Sequence, residues 1–265
     1  MIKFKEYFLG ETYENSYRNA MTYFLSLDSD GLNKIGLKIP NIKNMEYHQI
    51  ANWLKSNNKY IYSYSTKSDR NLNDFDRKKY QIALNGFVNN VDNLLDASKW
   101  KKKYDGGQWC YFMNQVSTES SRSKIYVFYG DNHLNDLNKY LGILIKMLNV
   151  NVHCFRQAKM SIDFSRKDDF IFYLSKYGEQ YKSQIEDNLK KYGFSVSHGE
   201  DLSGNSFGEI ESLKILMSLL GKWNGMNDNQ MINYIRNKYN SENNLWKNSD
   251  NIFPTNALNR LGYNL

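Results

Sequence analysis

The hydrophobic pattern of this chain changes period once, at Asp105-Gly106-Gly107, and that change limits what can fold on either side of it. Before the break the spacing is helical. Tyr47, Ile50, Ala51 and Leu54 fall at i, i+3, i+4 and i+7, which is one face of a helix. Tyr80, Leu84, Phe87, Val88, Val91, Leu94 and Leu95 form a longer stripe of the same kind over 74–97, and 13–27 carries a further, mixed one. Between these, Tyr60, Tyr62 and Tyr64 alternate, which predicts a short strand.

After the break, short β-type runs alternate with helical ones. Residues 108–116 are aromatic and strand-like, and 124–129 (Lys-Ile-Tyr-Val-Phe-Tyr) form the clearest strand. Leu134, Leu137, Leu141, Leu144, Ile145 and Leu148 predict a helix over 134–148, capped by Asp131 or Asn132. Strands follow over 151–158 and 169–174, with a turn near 161–165. That connection is too short for a parallel crossover, so the pair is expected to be antiparallel. A polar-faced helix over 177–191 should stop at Gly193. Ser206 and Glu209 have the spacing of a capping box ahead of a helix over 207–220, and a last helix is expected over 227–239. The class is therefore α+β. A helical N-terminal region over 1–104 precedes a core over 105–265, built on a small, mainly antiparallel sheet flanked by helices.

Composition narrows the function classes. With 265 residues, 41% hydrophobic and 24% charged, the chain can bury a core without metal or disulfide staples. No run approaches the ~18 apolar residues of a membrane helix. The N-terminus reaches Glu6 before any apolar stretch, unlike a signal peptide. Cys110 and Cys154 form no framework. A cytoplasmic location is the expectation. The net charge of +7 suits anionic partners. There is no GxxxxGK[ST], GxGxxG, HExxH or CxxC, and His48, His133, His153 and His198 lack ligand spacing. Neither a metal nor a nucleotide cofactor is expected.

One group of side chains gathers by strand logic. Lys124 and Tyr126 are two apart on one strand and so share a face. Lys159 ends the next strand, and Arg166 opens the one after it. Asp168 and Tyr173 lie further along that third strand. If the strands share a sheet, Lys124, Tyr126, Lys159 and Arg166 can converge on one patch.

These pieces, in order, resemble a known family. Tyr111-Phe112, Lys124-Ile125-Tyr126-Val127, a helix of about fifteen residues, Ala158-Lys159, Ser165-Arg166-Lys167-Asp168, Tyr173 and Ser206-Phe207-Gly208 look like the HopA-type effectors of plant pathogens. Relatives of that family include peptide-modifying lyases of ribosomally made peptides. The likeness covers roughly 105–222 and extends, more distantly, to the phosphothreonine lyases of enteric pathogens and the lyase domains of lanthipeptide synthetases. It implies a phospholyase-like core and β-elimination of phosphate from phosphoserine or phosphothreonine, leaving dehydroalanine or dehydrobutyrine. Cations must then stabilise an enolate-like transition state and the departing phosphate.

By the same resemblance, Lys159 is the general base, Lys124 contacts carbonyl or phosphate, and Arg166 and Tyr173 bind phosphate. Asp168 orients Arg166 or Lys159, or simply balances charge. Tyr126 stands where the pathogen phosphothreonine lyases carry a catalytic histidine. A phenol is a weaker acid than an imidazolium, yet it can donate to phosphate. Arg236 and Arg260 are the remaining C-terminal arginines of interest. The implied partners are a phosphorylated precursor peptide, a separate Ser/Thr kinase and a cyclase, with no nucleic acid and no membrane. The alternative is a non-catalytic subunit or effector that binds the peptide on the same fold. A winged-helix reading of 20–64, with the tyrosine run as its wing, lacks a basic recognition helix.

Overall fold

The computed structural model describes residues 13–66, 72–104, 106–116, 119–163, 168–200 and 206–246. The chain divides into two compact units, one over 66–200 and one formed by 15–65 together with the described residues after 201.

The first unit is α+β. Helix α4 (Asp74–Asn90) leads into β1 (Trp100–Lys103), β2 (Trp109–Asn114) and β3 (Ser120–Phe128). Helices α5 (Asp131–Asn135) and α6 (Leu137–Val150) follow, then β4 (Phe155–Ser161), β5 (Phe170–Ser175), α7 (Lys182–Lys191) and β6 (Ser195–Glu200). The six strands form one sheet in the order β1-β2-β4-β5-β3-β6, and every neighbouring pair is antiparallel. The expected antiparallel pairing of the strands near 151–158 and 169–174 is seen as β4 against β5.

One face of the sheet is the core. Ile125, Phe172, Ala158 and Phe112 align across four strands, as do Val127, Phe170, Met160 and Cys110, and all eight are fully buried. Leu84 and Val88 of α4, Leu141, Leu144 and Leu148 of α6, and Ile185 and Leu189 of α7 complete this cluster. Burial pushes the Cys110 thiol up to about 12, and both cysteines are free.

Four expectations need correction here. The helix expected over 134–148 is two helices, and Asp131 and Asn132 lie inside α5 after its N-cap, Gly130. His133 takes over the capping: Gly130 N–H donates to its Nδ1 at 3.0 Å. The imidazole is thereby fixed with Nε2 facing the Tyr192 carbonyl at 3.1 Å, and it stacks on Phe194. The strand expected from 151 starts at Phe155, after a short 3-10 turn over Val152–Cys154. Strands β1 and β6 were not expected. Trp100-Lys101-Lys102-Lys103 reads as a charge cluster, yet Trp100 and Lys102 point inward, where Lys102 Nζ donates to Val88 O at 3.0 Å and meets Asp92 at 2.5 Å. Finally, the period break at 105–107 falls between two paired strands, β1 and β2, so it is neither the change from helix to strand nor a unit boundary. The stripe of α4 has the sheet as its partner, so 74–104 belongs with the strands.

The second unit is helical. It contains α1 (Tyr13–Ser26), α2 (Ser29–Lys34), α3 (Tyr47–Thr66), α8 (Phe207–Trp223) and α9 (Asp228–Trp246). The alternation at Tyr60, Tyr62 and Tyr64 is overridden, because all three lie within α3. Ile50, Leu54, Asn58, Ile61 and Ser65 are buried at helical spacing, and that longer stripe outweighs three alternating rings. Tyr64 stacks on Tyr23 with ring centroids 5.3 Å apart. The wing of a winged helix is thus missing. The capping box of α8 forms as expected, with Ser206 N donating to Glu209 Oε2 at 2.7 Å and Glu209 N to Ser206 Oγ at 3.3 Å. A Cβ on Gly208 would fall 2.2 Å from Tyr62 Cε2 and 2.5 Å from Tyr17 Oη, so this helix start approaches its neighbours too closely for a side chain. No helix among the described residues is long and apolar enough to cross a membrane.

One tie near β3 makes a pH prediction. Glu179 accepts from Ser121 Oγ at 2.5 Å and Ser123 Oγ at 3.1 Å. The Ser121 hydroxyl is the main cause that holds its carboxyl below the ordinary value, with Ser123 adding to it. A carboxylate whose folded pKa is depressed stabilises the fold above its unfolded pKa and loses that contribution as pH falls through the folded value. Urea unfolding should therefore show Glu179→Gln less stable than wild type at pH 7. The difference should begin to shrink as pH falls through the ordinary glutamate value of ~4.3 and vanish only below the depressed folded value, where the carboxyl is protonated in both the folded and the unfolded chain.

Candidate active site

The face of the sheet opposite the core carries the polar groups. Period two sends Lys124 and Tyr126 of β3 to this side, because Ile125 and Val127 point into the core. The antiparallel registers then align two rows. In one, Tyr126, Ile171, Lys159 and Tyr111 are consecutive cross-strand partners. In the other, Lys124, Tyr173, Gln157 and Met113 are. Tyr126 and Lys159 are thus two strand spacings apart, about 10 Å at the Cα level.

Tyr173 is the centre of this arrangement. Lys124 Nζ lies 4.7 Å from its ring centroid, Lys159 Nζ 5.8 Å and the Arg156 guanidinium carbon 5.9 Å. Lys159 Nζ also sits 4.1 Å from the centroid of Trp109. All four distances are within the range of cation–π attraction. Lys124 is only 7% exposed and Tyr126 4%, while Lys159, Tyr173 and Arg156 are half-buried. Three positive groups on one aromatic ring repel one another, and the partial burial weakens solvent screening of that repulsion. Such a surface is suited to a multiply charged anion.

The sequence-derived residues divide clearly. Lys124, Tyr126, Lys159 and Tyr173 come together on one face. Asp168 is buried just before β5, next to Asp169. The Asp169 carboxylate accepts from Tyr129 N at 2.6 Å and its backbone pairs with Val127 and Ser161. These two aspartates close the end of the sheet where β3, β4 and β5 meet. Arg166 and Arg260 lie outside the described residues. Arg236 is on α9 of the helical unit, with Nη1 3.5 Å from Asn233 Oδ1. Two residues of the face were not singled out from sequence, Trp109 and Arg156. Trp109 opens the aromatic strand and so carried a signal, whereas Arg156 carried none.

No family model matches the sequence, and no curated protein matches it. Among solved structures, the chain is similar to an effector protein from Pseudomonas syringae pv. syringae strain 61, with 10% identity and a TM-score of 0.42 over 84% of this chain and 97% of that one. It is similar to an effector from Pseudomonas syringae pv. tomato strain DC3000, with 11% identity and a TM-score of 0.39 over 82% and 95%. It is also similar to the type III effector and phosphothreonine lyase OspF from Shigella flexneri, with 10% identity and a TM-score of 0.26 over 66% of this chain and 75% of that one.

Proposed function

We propose that this protein is a lyase that removes phosphate from phosphoserine or phosphothreonine in a peptide by β-elimination. The observation that carries this reading is the placement of Lys124 and Lys159 about the Tyr173 ring, in adjoining rows with Tyr126. Such an arrangement offers a base, an acid and anion-stabilising charge on one surface.

The reaction asks for all three. The Cα proton is a weak acid, so a base succeeds only where the developing enolate is stabilised by nearby positive charge. Lys159, as the neutral amine, takes that proton. The C–H electron pair becomes the Cα=Cβ bond, the Cβ–O bond breaks, and its pair leaves with the phosphate. Lys124 stabilises the enolate oxygen. The hydroxyl of Tyr126, whose Cα lies about 10 Å from that of Lys159, protonates the leaving phosphate. Tyr173 packs against the phosphoryl group. Arg166 joins the phosphate contacts by the resemblance noted above. No nucleotide is consumed, so a separate kinase must install the phosphate.

The substrate class we favour is a ribosomally made precursor peptide, whose dehydrated residues a cyclase then uses. Mass spectrometry of a phosphothreonine peptide incubated with the purified protein tests the reading. Elimination removes phosphoric acid, a loss of ~98 Da per site, and leaves an alkene that adds thiols. Release of inorganic phosphate with regeneration of threonine would mean hydrolysis and would overturn it. Tight binding of the phosphopeptide with no mass change would instead favour a non-catalytic binding subunit.

A further inference from the structure

Alternation along β4 fails at one residue. Gln157 and Lys159 face the site and Ala158 faces the core, so a regular strand would turn Arg156 into the core beside Ala158. The register shows why it does not. Phe155 pairs with Leu174 and Gln157 with Tyr173, so two steps on β4 match one step on β5. This is a β-bulge, and its extra residue is Arg156. Phe155 fills the core with 0% exposure, stacked on Phe172. Asn114 holds the strand's beginning, donating from Nδ2 to Phe155 O and Val152 O at 2.6 Å each. The bulge thus sends Arg156 to the face that carries Tyr173.

The guanidinium is not held there by an acceptor on its inner side. Its Nε–H is buried with no hydrogen-bond partner among the described residues, although a buried unsatisfied donor costs stability. Its ring contact is with Tyr173, at 5.9 Å. Along β4, Lys159 lies two residues beyond the partner of Tyr173 and Arg156 one residue before it. Tyr173 is therefore flanked by a lysine on one side and a guanidinium on the other. A guanidinium fork binds two phosphate oxygens at once, which an ammonium does not.

We propose that Arg156 is a phosphate-contacting residue of this site, whose guanidinium holds the phosphoryl dianion of the substrate against Tyr173 on the side away from Lys159. This rests on the lyase reading above and adds to it a residue that strand alternation hides. The bulge is the device that delivers the charge.

The test is fluorescence anisotropy with a short labelled peptide carrying one phosphothreonine, and with its unphosphorylated twin. The protein is the full chain with Lys159→Ala, so that bound peptide is not consumed. Adding Arg156→Gln should weaken phosphopeptide binding about 10- to 100-fold, the worth of hydrogen bonds to a charged group. Binding of the twin should not change, and Arg156→Lys should fall between. With Lys159 intact, Arg156→Gln should raise KM more than it lowers kcat. The proposal is overturned if Arg156→Gln leaves phosphopeptide affinity unchanged. It is equally overturned if the substitution weakens both peptides alike, as a purely structural role would. A parent protein that does not distinguish the two peptides would remove the lyase reading itself, and this proposal with it.

Discussion

Replacing Lys159 with alanine should lower the rate of phosphate elimination by on the order of 10²- to 10⁴-fold, the usual worth of a positioned general base. The fold should survive. Lys159 is half-buried on the polar face of β4, its cross-strand partners are Ile171 and Tyr111, and the core on the other face does not involve it. Phosphopeptide affinity should fall far less than turnover, because Lys124 and Arg156 remain at the Tyr173 ring. Lys159→Arg separates charge from basicity. An arginine keeps the cation but stays protonated at any accessible pH, so it should be as inactive as alanine. A base works only when deprotonated, so wild-type kcat/KM should rise with pH and the variants should lose that rising limb. Phosphate release and the mass of the peptide report both quantities. Undiminished elimination in Lys159→Ala would remove the base assignment and leave Lys124 as the remaining amine of the pair.

Truncating Phe172 should have the largest effect on stability. Its side chain is fully buried in the centre of the sheet's core face. The ring packs on Phe155 with centroids 4.7 Å apart and on Phe170 at 4.8 Å. Phe172→Ala removes the ring and leaves a cavity, at a cost of about 3–5 kcal/mol. The melting temperature should drop by on the order of 10 °C, measured by circular dichroism. Phe172→Leu, which keeps most of the volume, should cost much less. The substitution also reaches the site. Phe155 stacks on Phe172 and begins the bulge that turns Arg156 outward, and Tyr173 is the next residue in the strand. Folded Phe172→Ala protein should therefore bind phosphopeptide more weakly although no residue of the polar face has changed.

Much of this architecture was legible in local sequence. The helical stripes at 13–27, at Tyr47–Leu54 and over most of 74–97 became helix, the last ending at Asn90 with a 3-10 turn after it, because a stripe of one face is written within a few turns of its own segment. The capping box at Ser206 and Glu209 involves residues three apart and formed as expected. The shared face of Lys124 and Tyr126 follows from the pleat alone, and the short connection before β5 required an antiparallel pair. Local pattern also misled where a longer one competed. Tyr60, Tyr62 and Tyr64 alternate, but they are carried by a 20-residue helix.

The tertiary structure decided the rest, and the physical reason is pairing between distant segments. Strand β6 is polar, Ser-Val-Ser-His-Gly-Glu, and exists because the edge of β3 gives its backbone groups partners. The order β4-β5-β3 puts Tyr173 between Lys159 and Lys124, and no spacing along the chain encodes which strand lies in the middle. The bulge at Arg156 is a mismatch between two strands and has no meaning in either alone. Sequence by itself therefore determined most of the elements and most of the chemistry-bearing side chains. Only the register of β4 against β5 decided that a third cation, one that alternation assigns to the core, faces the same ring.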